Sequence, residues 1–459
     1  MPTQTYPSSQ EAAAKANPNP NSNPSVHSLT TQDRAQQAGW KTLLRNRSIF
    51  SWALYDWANS SFATTVMAGF FPVFFKTYWS SGADVNISTY QLGFANSLAS
   101  GVLAILSPVI GSFADQGSAK KKALLVFTLL GVIMTGSLFM VAKGQWPLAI
   151  AIYLFANVGF AGGNNFYDSL LTTVSRPSET QKVSAMGYSL GYLGGGLLFA
   201  LNVGMVLYPQ IFGFSDQAVA IRASFLTVAI WWFVFTLPLL LFVHEEQKPN
   251  HLSPKQIIVK GLSQVLYTFH DVRSKKNLGL FLIAYFFYID GVNTIMRMAV
   301  DYGLSLGFPS ESLIVALLLT QFVGFPAAFA YGWFAEKVGS KNSLYMAILV
   351  YAAVCVFSYS MSTPTHFYVL AIVIGLVQGG IQAVSRSVFA NMIPREQAGE
   401  YFGFFNMIGK FSSVMGPYLI GAVSLLTHNS RLSILSIVLL FAIGSFFLYW
   451  AKLSDSLKE

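Results

Sequence analysis

The sequence predicts an all-α polytopic membrane protein, with twelve transmembrane helices in two six-helix halves related by a pseudo-twofold axis. Three observations carry that prediction: long apolar runs, basic residues segregated to one side, and paired motifs recurring in the same order. Of 459 residues, 53% are hydrophobic and only 10% charged. Soluble domains carry about 25% charged residues, so this chain cannot cover itself in water. A helix needs about 20 apolar residues to cross a bilayer. Stretches at about 49–78, 90–113, 123–142, 147–172, 183–208, 220–243, 278–302, 311–335, 342–361, 365–393, 401–426 and 431–451 meet that length. They are continuous rather than alternating, which reads as helix and not barrel strand.

The segments between and around these spans follow. Residues 1–48 are polar, with Asn-Pro repeats from Asn17 to Pro24 and no apolar signal-peptide core; they read as a disordered cytoplasmic tail. The two bundles are expected at 49–243 and 278–452, with a short cytoplasmic end at 453–459. Between the bundles, 244–277 places Ile257, Ile258, Leu262, Val265, Leu266 and Phe269 at helical spacing among Lys255, Lys260 and Arg273. That pattern predicts an amphipathic helix on the inner membrane surface. Of 28 Lys and Arg residues, Arg297, Arg386 and Lys410 fall within spans, and Lys76, Lys143, Arg222 and Arg431 on one side of the membrane. The rest fall on the other side, which puts both termini in the cytoplasm. The net charge of +9 is thereby explained by topology, with no nucleic-acid partner. The single cysteine, Cys355, excludes a disulfide framework and a cysteine-rich metal site.

The halves repeat each other. Asp56-Trp57-Ala58-Asn59-Ser60 in the first span matches Asp290-Gly291-Val292-Asn293-Thr294 in the seventh. The connection after the second span, Gly111 through Asp115 to Gly117, matches Gly332 through Glu336 to Gly339 after the eighth. Asp168-Ser169 in the fourth span faces Arg386-Ser387 in the tenth, and each is followed by a polar turn holding Arg176 or Arg395. Two such halves, related by an axis along the membrane normal, describe the major facilitator architecture. Asp115 and Glu336 then have two readings. Each acid either latches the inner face by pairing with an Arg or a helix N-terminus, or tightens a turn beside its lysines.

An ionised side chain at mid-span costs about 2.5–3.5 kcal/mol on insertion scales. Asp56, Asp168, Asp290, Arg297, Arg386 and Lys410 must therefore face one another, water, or an interface within reach. Residues three apart share a helix face, so Asp56 projects with Asn59 and Asp290 with Asn293. One reading gives Asp56 or Asp290 the coupling proton, with Arg297, Arg386 or Lys410 holding an anionic group of a solute. The other pairs the acids with the bases to lock helices together. Trp57 is a candidate pocket wall beside Asp56. The glycines of the fifth and eleventh spans (Gly187, Gly191, Gly194–Gly196; Gly403, Gly409, Gly416, Gly421) permit close packing, and Gly416-Pro417 permits bending.

Specific strings carry a family resemblance. Ser51-Trp52-Ala53-Leu54-Tyr55-Asp56-Trp57-Ala58-Asn59-Ser60 resembles the first-span signature of UMF-type major facilitators, a group similar to the vacuolar amino-acid effluxers of autophagy. Further matching blocks are Phe166-Tyr167-Asp168, Gly187 to Gly195, Tyr288 to Gly291, Gly375 through Ser385-Arg386-Ser387 to Pro394, Phe402 to Asn406 and Gly409-Lys410-Phe411. The resemblance implies a secondary transporter that moves a small polar solute, with an amino acid as the implied class, by alternating access. Tyr55 belongs to that candidate path through its place in the first block. The expected partners are a small-molecule substrate, the lipid bilayer and protons as coupling ion. A monomer in the cell membrane, the inner membrane in a bacterium, is expected, with no cofactor. A different metabolite, drug or lysolipid cargo, and a non-transporting sensor, are the alternatives. No G-x-x-x-x-G-K-[ST] phosphate loop occurs, so nothing supports ATP-driven pumping. The six His residues lie outside or at the ends of spans with no metal-ligand spacing.

Overall fold

A computed structural model describes residues 39–81, 101–102, 120–245, 268–427 and 430–453. The tail up to residue 38, the second span with Gly111 and Asp115, and most of the linker's amphipathic stretch lie outside the described residues.

A short helix α1 (Trp40–Arg45) precedes α2 (Arg47–Ser61), whose start is capped by the Asn46 side chain accepting from Ser48 N and Ile49 N at 3.0 and 3.3 Å. Such a cap satisfies amide groups that the first turn leaves without partners. The sequence predicts one continuous helix here. The structure instead widens it into π-helical turns at Phe62–Phe70 and Phe75–Trp79 around α3 (Phe71–Phe74). Pro72 accounts for the change, because it has no N–H to donate and its ring crowds the preceding turn, which a wider helix relieves.

The first half continues with α4 (Lys120–Ser137), α5 (Trp146–Val174), α6 (Thr180–Leu207) and α7 (Gln217–Phe242). Pro147 starts α5 where a missing N–H costs nothing, and Asp216 caps α7 by accepting from Val219 N at 2.9 Å. In the second half, α8 (Lys276–Ser305), α9 (Ser310–Val338), α10 (Ser340–Tyr359) and α11 (Pro364–Met392) are uninterrupted. Gly339, at φ +88°, makes the sharp turn between α9 and α10. The eleventh span is split into α12 (Ala398–Ser412) and α13 (Met415–Thr427), next to Gly416-Pro417. The chain ends in α14 (Ser430–Leu435) and α15 (Val438–Trp450).

Among the described residues, nine helical stretches are long and apolar enough to cross a membrane. The first and eleventh spans are present but interrupted, for the proline reasons just given. Large apolar side chains such as Val126, Ile133, Phe155, Leu241, Leu349 and Leu376 point outward, an arrangement that suits lipid and not water. Eleven of the twelve predicted spans are thus seen among the described residues, in the two-half arrangement predicted, and the second span lies outside them.

Helix α6 carries the seam between the halves. Along it, Ser184 Oγ donates to Ala383 O (2.9 Å) and Ser189 Oγ to Phe325 O (2.7 Å). Tyr192 seats its ring against Gly324 of α9 and Gly379 of α11, where an added Cβ would stand 2.8 Å from ring carbons in each case.

Candidate functional site

The charged residues of the spans collect in two places. The first is centred on Arg386 of α11, only 3% exposed. It reaches across the seam into the first half, where its NH1 donates to Asp168 Oδ1 of α5 at 3.1 Å and to Asp56 Oδ2 of α2 at 3.5 Å. Its Nε and NH2 donate to the Oγ and backbone O of Ser184, both at 2.9 Å. Tyr167 OH donates to Asp56 Oδ2 at 2.8 Å, and Asn406 Nδ2 of α12 donates to Asn165 Oδ1 at 2.7 Å and Asp168 Oδ2 at 3.3 Å. The guanidinium also lies over the rings of Tyr188, Trp52 and Tyr167, at 4.3, 5.1 and 5.3 Å. Aromatic faces stabilise a desolvated cation, so Arg386 is held by charge, hydrogen bonds and π-faces at once.

Local sequence builds this pocket. Trp52 and Asp56 are one helical turn apart and share a face. Trp52 stacks on Tyr167 at 4.4 Å and donates from Nε1 to Tyr167 O at 2.9 Å. Gly187 lets α6 close over the cluster, since an added Cβ would meet Tyr167 OH at 2.6 Å, Asp56 Oδ2 at 2.9 Å and Arg386 NH2 at 3.0 Å.

The second place lies on α8 and α12. Asp290 is fully buried; its Oδ1 accepts from Thr294 Oγ1 at 3.2 Å, while its Oδ2 has no partner among the described residues. Two turns further along α8, Arg297 is exposed, and Lys410 of α12 is half-buried.

Around these groups, further ties join the halves at one end of the seam. Lys182 Nζ stands 3.0 Å from Glu336 Oε1, and Arg395 NH2 donates to Ser175 O at 3.2 Å. Gly332 packs against Ala185, and the Trp40 ring of α1 lies tilted against Phe329 of α9, with centroids 3.9 Å apart. Arg176 is exposed, its backbone oxygen accepting from Thr180 Oγ1 at 2.8 Å.

The sequence candidates thus separate. Asp56, Asp168 and Arg386 come together, while Asp290, Arg297 and Lys410 lie outside that cluster. Tyr55 supports from behind, its OH hydrogen-bonded to Thr128 Oγ1 at 2.9 Å. Asn59 donates to Asn164 Oδ1 at 2.5 Å, and Asn293 to Ser413 Oγ at 3.2 Å, so both amides tie neighbouring helices. Trp57 packs against Trp231 and Phe235 of α7, away from the Arg386 cluster. Sequence reasoning missed Ser184, Tyr167, Tyr188 and Asn165 as partners. For Trp52 a signal existed, its one-turn spacing from Asp56; for Ser184 none did.

Outside the spans, a small tether repeats the same chemistry. Asp271 accepts from Tyr401 OH and pairs with Lys275 Nζ at 2.8 Å. Burial opposes the Asp271 carboxylate, but hydrogen bonds from Lys275 and Tyr401 outweigh it and hold the carboxyl below its ordinary value.

Fold and site together define an integral membrane transporter of the major facilitator class. Comparisons with known proteins agree. The family described as Major Facilitator Superfamily matches residues 7–199, and the family described as Vacuole effluxer Atg22 like matches residues 173–459. An uncharacterized MFS-type transporter, YxiO, of Bacillus subtilis (strain 168) is 39% identical over 399 residues, covering 86% of this chain and 92% of the relative. Autophagy-related protein 22 of Eremothecium gossypii is 25% identical over 448 residues, covering 84% and 87%. Among solved structures, the human organic anion transporter MFSD10 (TETRAN) superimposes with a TM-score of 0.69 at 14% identity, covering 88% of this chain and 99% of that one. FucP in the outward conformation gives 0.64 at 13% identity, covering 90% and 100%. The chain belongs to the vacuole effluxer Atg22-like family of major facilitator transporters.

Proposed function

We propose that the protein is a secondary active transporter that moves a small polar solute by alternating access, driven by a proton gradient, with both termini on the cytoplasmic side. The observation that carries this reading is Arg386, a second-half cation held inside the first half by Asp56, Asp168 and Ser184. One guanidinium cannot neutralise two ionised carboxylates, and an unbalanced buried charge is costly. A proton on either acid completes the balance, so closing and opening this end of the molecule is linked to proton uptake and release. Lys182–Glu336 and Arg395–Ser175 close the same end as gating contacts. By the positive-inside rule that end is cytoplasmic, and the gradient then acts on the Arg386 cluster. Asp290 is a second candidate for the coupling proton, being buried with one oxygen unpartnered. An amino acid is the cargo class implied by the family resemblance.

The test is flux in proteoliposomes, using a solute identified by ligand-induced thermal shift of the purified protein. Asp56→Asn and Asp168→Asn are each expected to lose pH-gradient-driven accumulation while keeping solute exchange. Full gradient-driven flux in Asp56→Asn, Asp168→Asn and Asp290→Asn alike would rule out coupling through these carboxylates.

A further inference from the structure

Helix α1 is tied to one half of the molecule and rests on the other. Its tie to α2 is short. Asn46 N donates back to Thr42 O and Leu43 O, both at 3.1 Å, while the Asn46 side chain caps α2, so one residue serves both helices as an elbow. Leu43, only 2% exposed, anchors that elbow in the core. Trp40 lies three residues before it on the same helix face, and its half-buried ring reaches across the seam to α9. The ring centroid stands 3.9 Å from that of Phe329, with the two planes 31° apart. An added Cβ on Gly332 would stand 3.5 Å from Trp40 Cη2 and 2.5 Å from Ala185 Cβ of α6. Phe329 and Gly332 are themselves three apart on α9, so they form two sides of one notch. Gly332 is thus where α1, α6 and α9 converge, and a residue without a side chain is what fits between them. One turn further along α9, Glu336 meets Lys182 of α6 at 3.0 Å. The same stretch of α9 therefore receives a ring from α1 and a cation from α6.

We propose that Trp40 is a clasp: seated on Phe329 and Gly332, it holds the halves together at the Lys182–Glu336 end and sets how often that end opens. This assignment rests on the transporter reading, because contacts that cross the seam there have to part in each cycle of alternating access. The elbow at Asn46 makes α1 travel with α2, so Trp40 leaves its notch whenever the first half swings away from α9. A tilted aromatic pair contributes beyond the area it buries, and that contribution is present in the closed state alone. A role limited to anchoring α1 predicts no change in the balance of closed and open forms when the ring is removed.

The experiment is a distance measurement by pulsed electron paramagnetic resonance on the full-length protein in liposomes. Spin labels are placed at Arg176→Cys in the first half and Glu396→Cys in the second, in a Cys355→Ala background. Both positions are exposed at the tied end, so a short distance reports that end closed and a long one reports it open. Trp40→Ala and Phe329→Ala are each expected to raise the ratio of long to short by about two- to twelvefold, the range of one aromatic pair. The double variant should go no further than the larger single effect, because both changes remove the same contact. Trp40→Phe should keep most of the closed population. If Trp40→Ala fails to fold, Phe329→Ala carries the same prediction. An unchanged ratio, including a single short distance throughout, would overturn the proposal, as would fully additive effects in the double variant. A ratio that responds to Trp40 without solute exchange in liposomes would remove the transporter reading and leave the clasp standing. Normal exchange with an unresponsive ratio would do the reverse.

Discussion

The two sets of charged residues in the interior differ in how completely protein groups enclose them. Around Arg386, one cation meets two carboxylates, and hydroxyl, amide and aromatic groups close the shell. On α8 and α12, Arg297 is exposed, Lys410 is half-buried and Asp290 Oδ2 has no partner among the described residues. On the proposed reading, the enclosed set, with two carboxylates to one cation, is the one suited to take a proton.

The largest expected effect comes from removing the shared cation. Arg386→Ala leaves two carboxylates buried without it, and stranding a buried charge costs about 3–5 kcal/mol. The Tm should fall steeply, and Asp56→Asn/Asp168→Asn in the same chain should recover most of the loss. A Tm unchanged in Arg386→Ala would show that the closed shell matters less than its geometry suggests. A middle-sized effect is expected for Gly187→Ala. Its methyl group would press on Tyr167, Asp56 and Arg386 together, and overpacking costs about 1–3 kcal/mol. The same substitution at Gly204, which has open space around it, is the control and should leave the Tm in place.

The smallest effect sharpens the comparison from outside the membrane. Asp271, Lys275 and Tyr401 repeat the carboxylate, cation and tyrosine of the Arg386 cluster, but beside water. Exposed pairs contribute about 0.2–1 kcal/mol, and Asp271→Asn should lose no more. Because the Asp271 carboxyl is held below its ordinary value, the tether contributes above that ordinary value. Its contribution fades as pH falls through the lower, folded one. Thermal melts of wild type and Asp271→Asn should therefore converge in acid; a gap that widens in acid would contradict the sign.

Much of this was legible in the sequence, and its limits are physical. Apolar run length places the spans because lipid punishes any other backbone. The same cost made Asp56, Asp168, Asp290, Arg297, Arg386 and Lys410 stand out as groups needing partners. Which would pair was not legible, since pairing depends on how α2, α5, α6 and α11 turn toward one another. Ser184 carries no signal in its own segment, yet it binds Arg386 twice. Trp57 drew notice as the neighbour of Asp56 in sequence, but a helix rotates adjacent residues well apart. Trp52, four residues back, is the ring beside the guanidinium. The π-helical turns were hidden because Pro72 announces a disturbance without saying how the backbone absorbs it.

The seat of Tyr192 has a mechanical consequence. A ring lodged between Gly324 and Gly379 works like a key in a slot, resisting axial slip of one bundle past the other while leaving them free to pivot. Larger side chains in either notch would push the ring out of its seat and part the two bundles there.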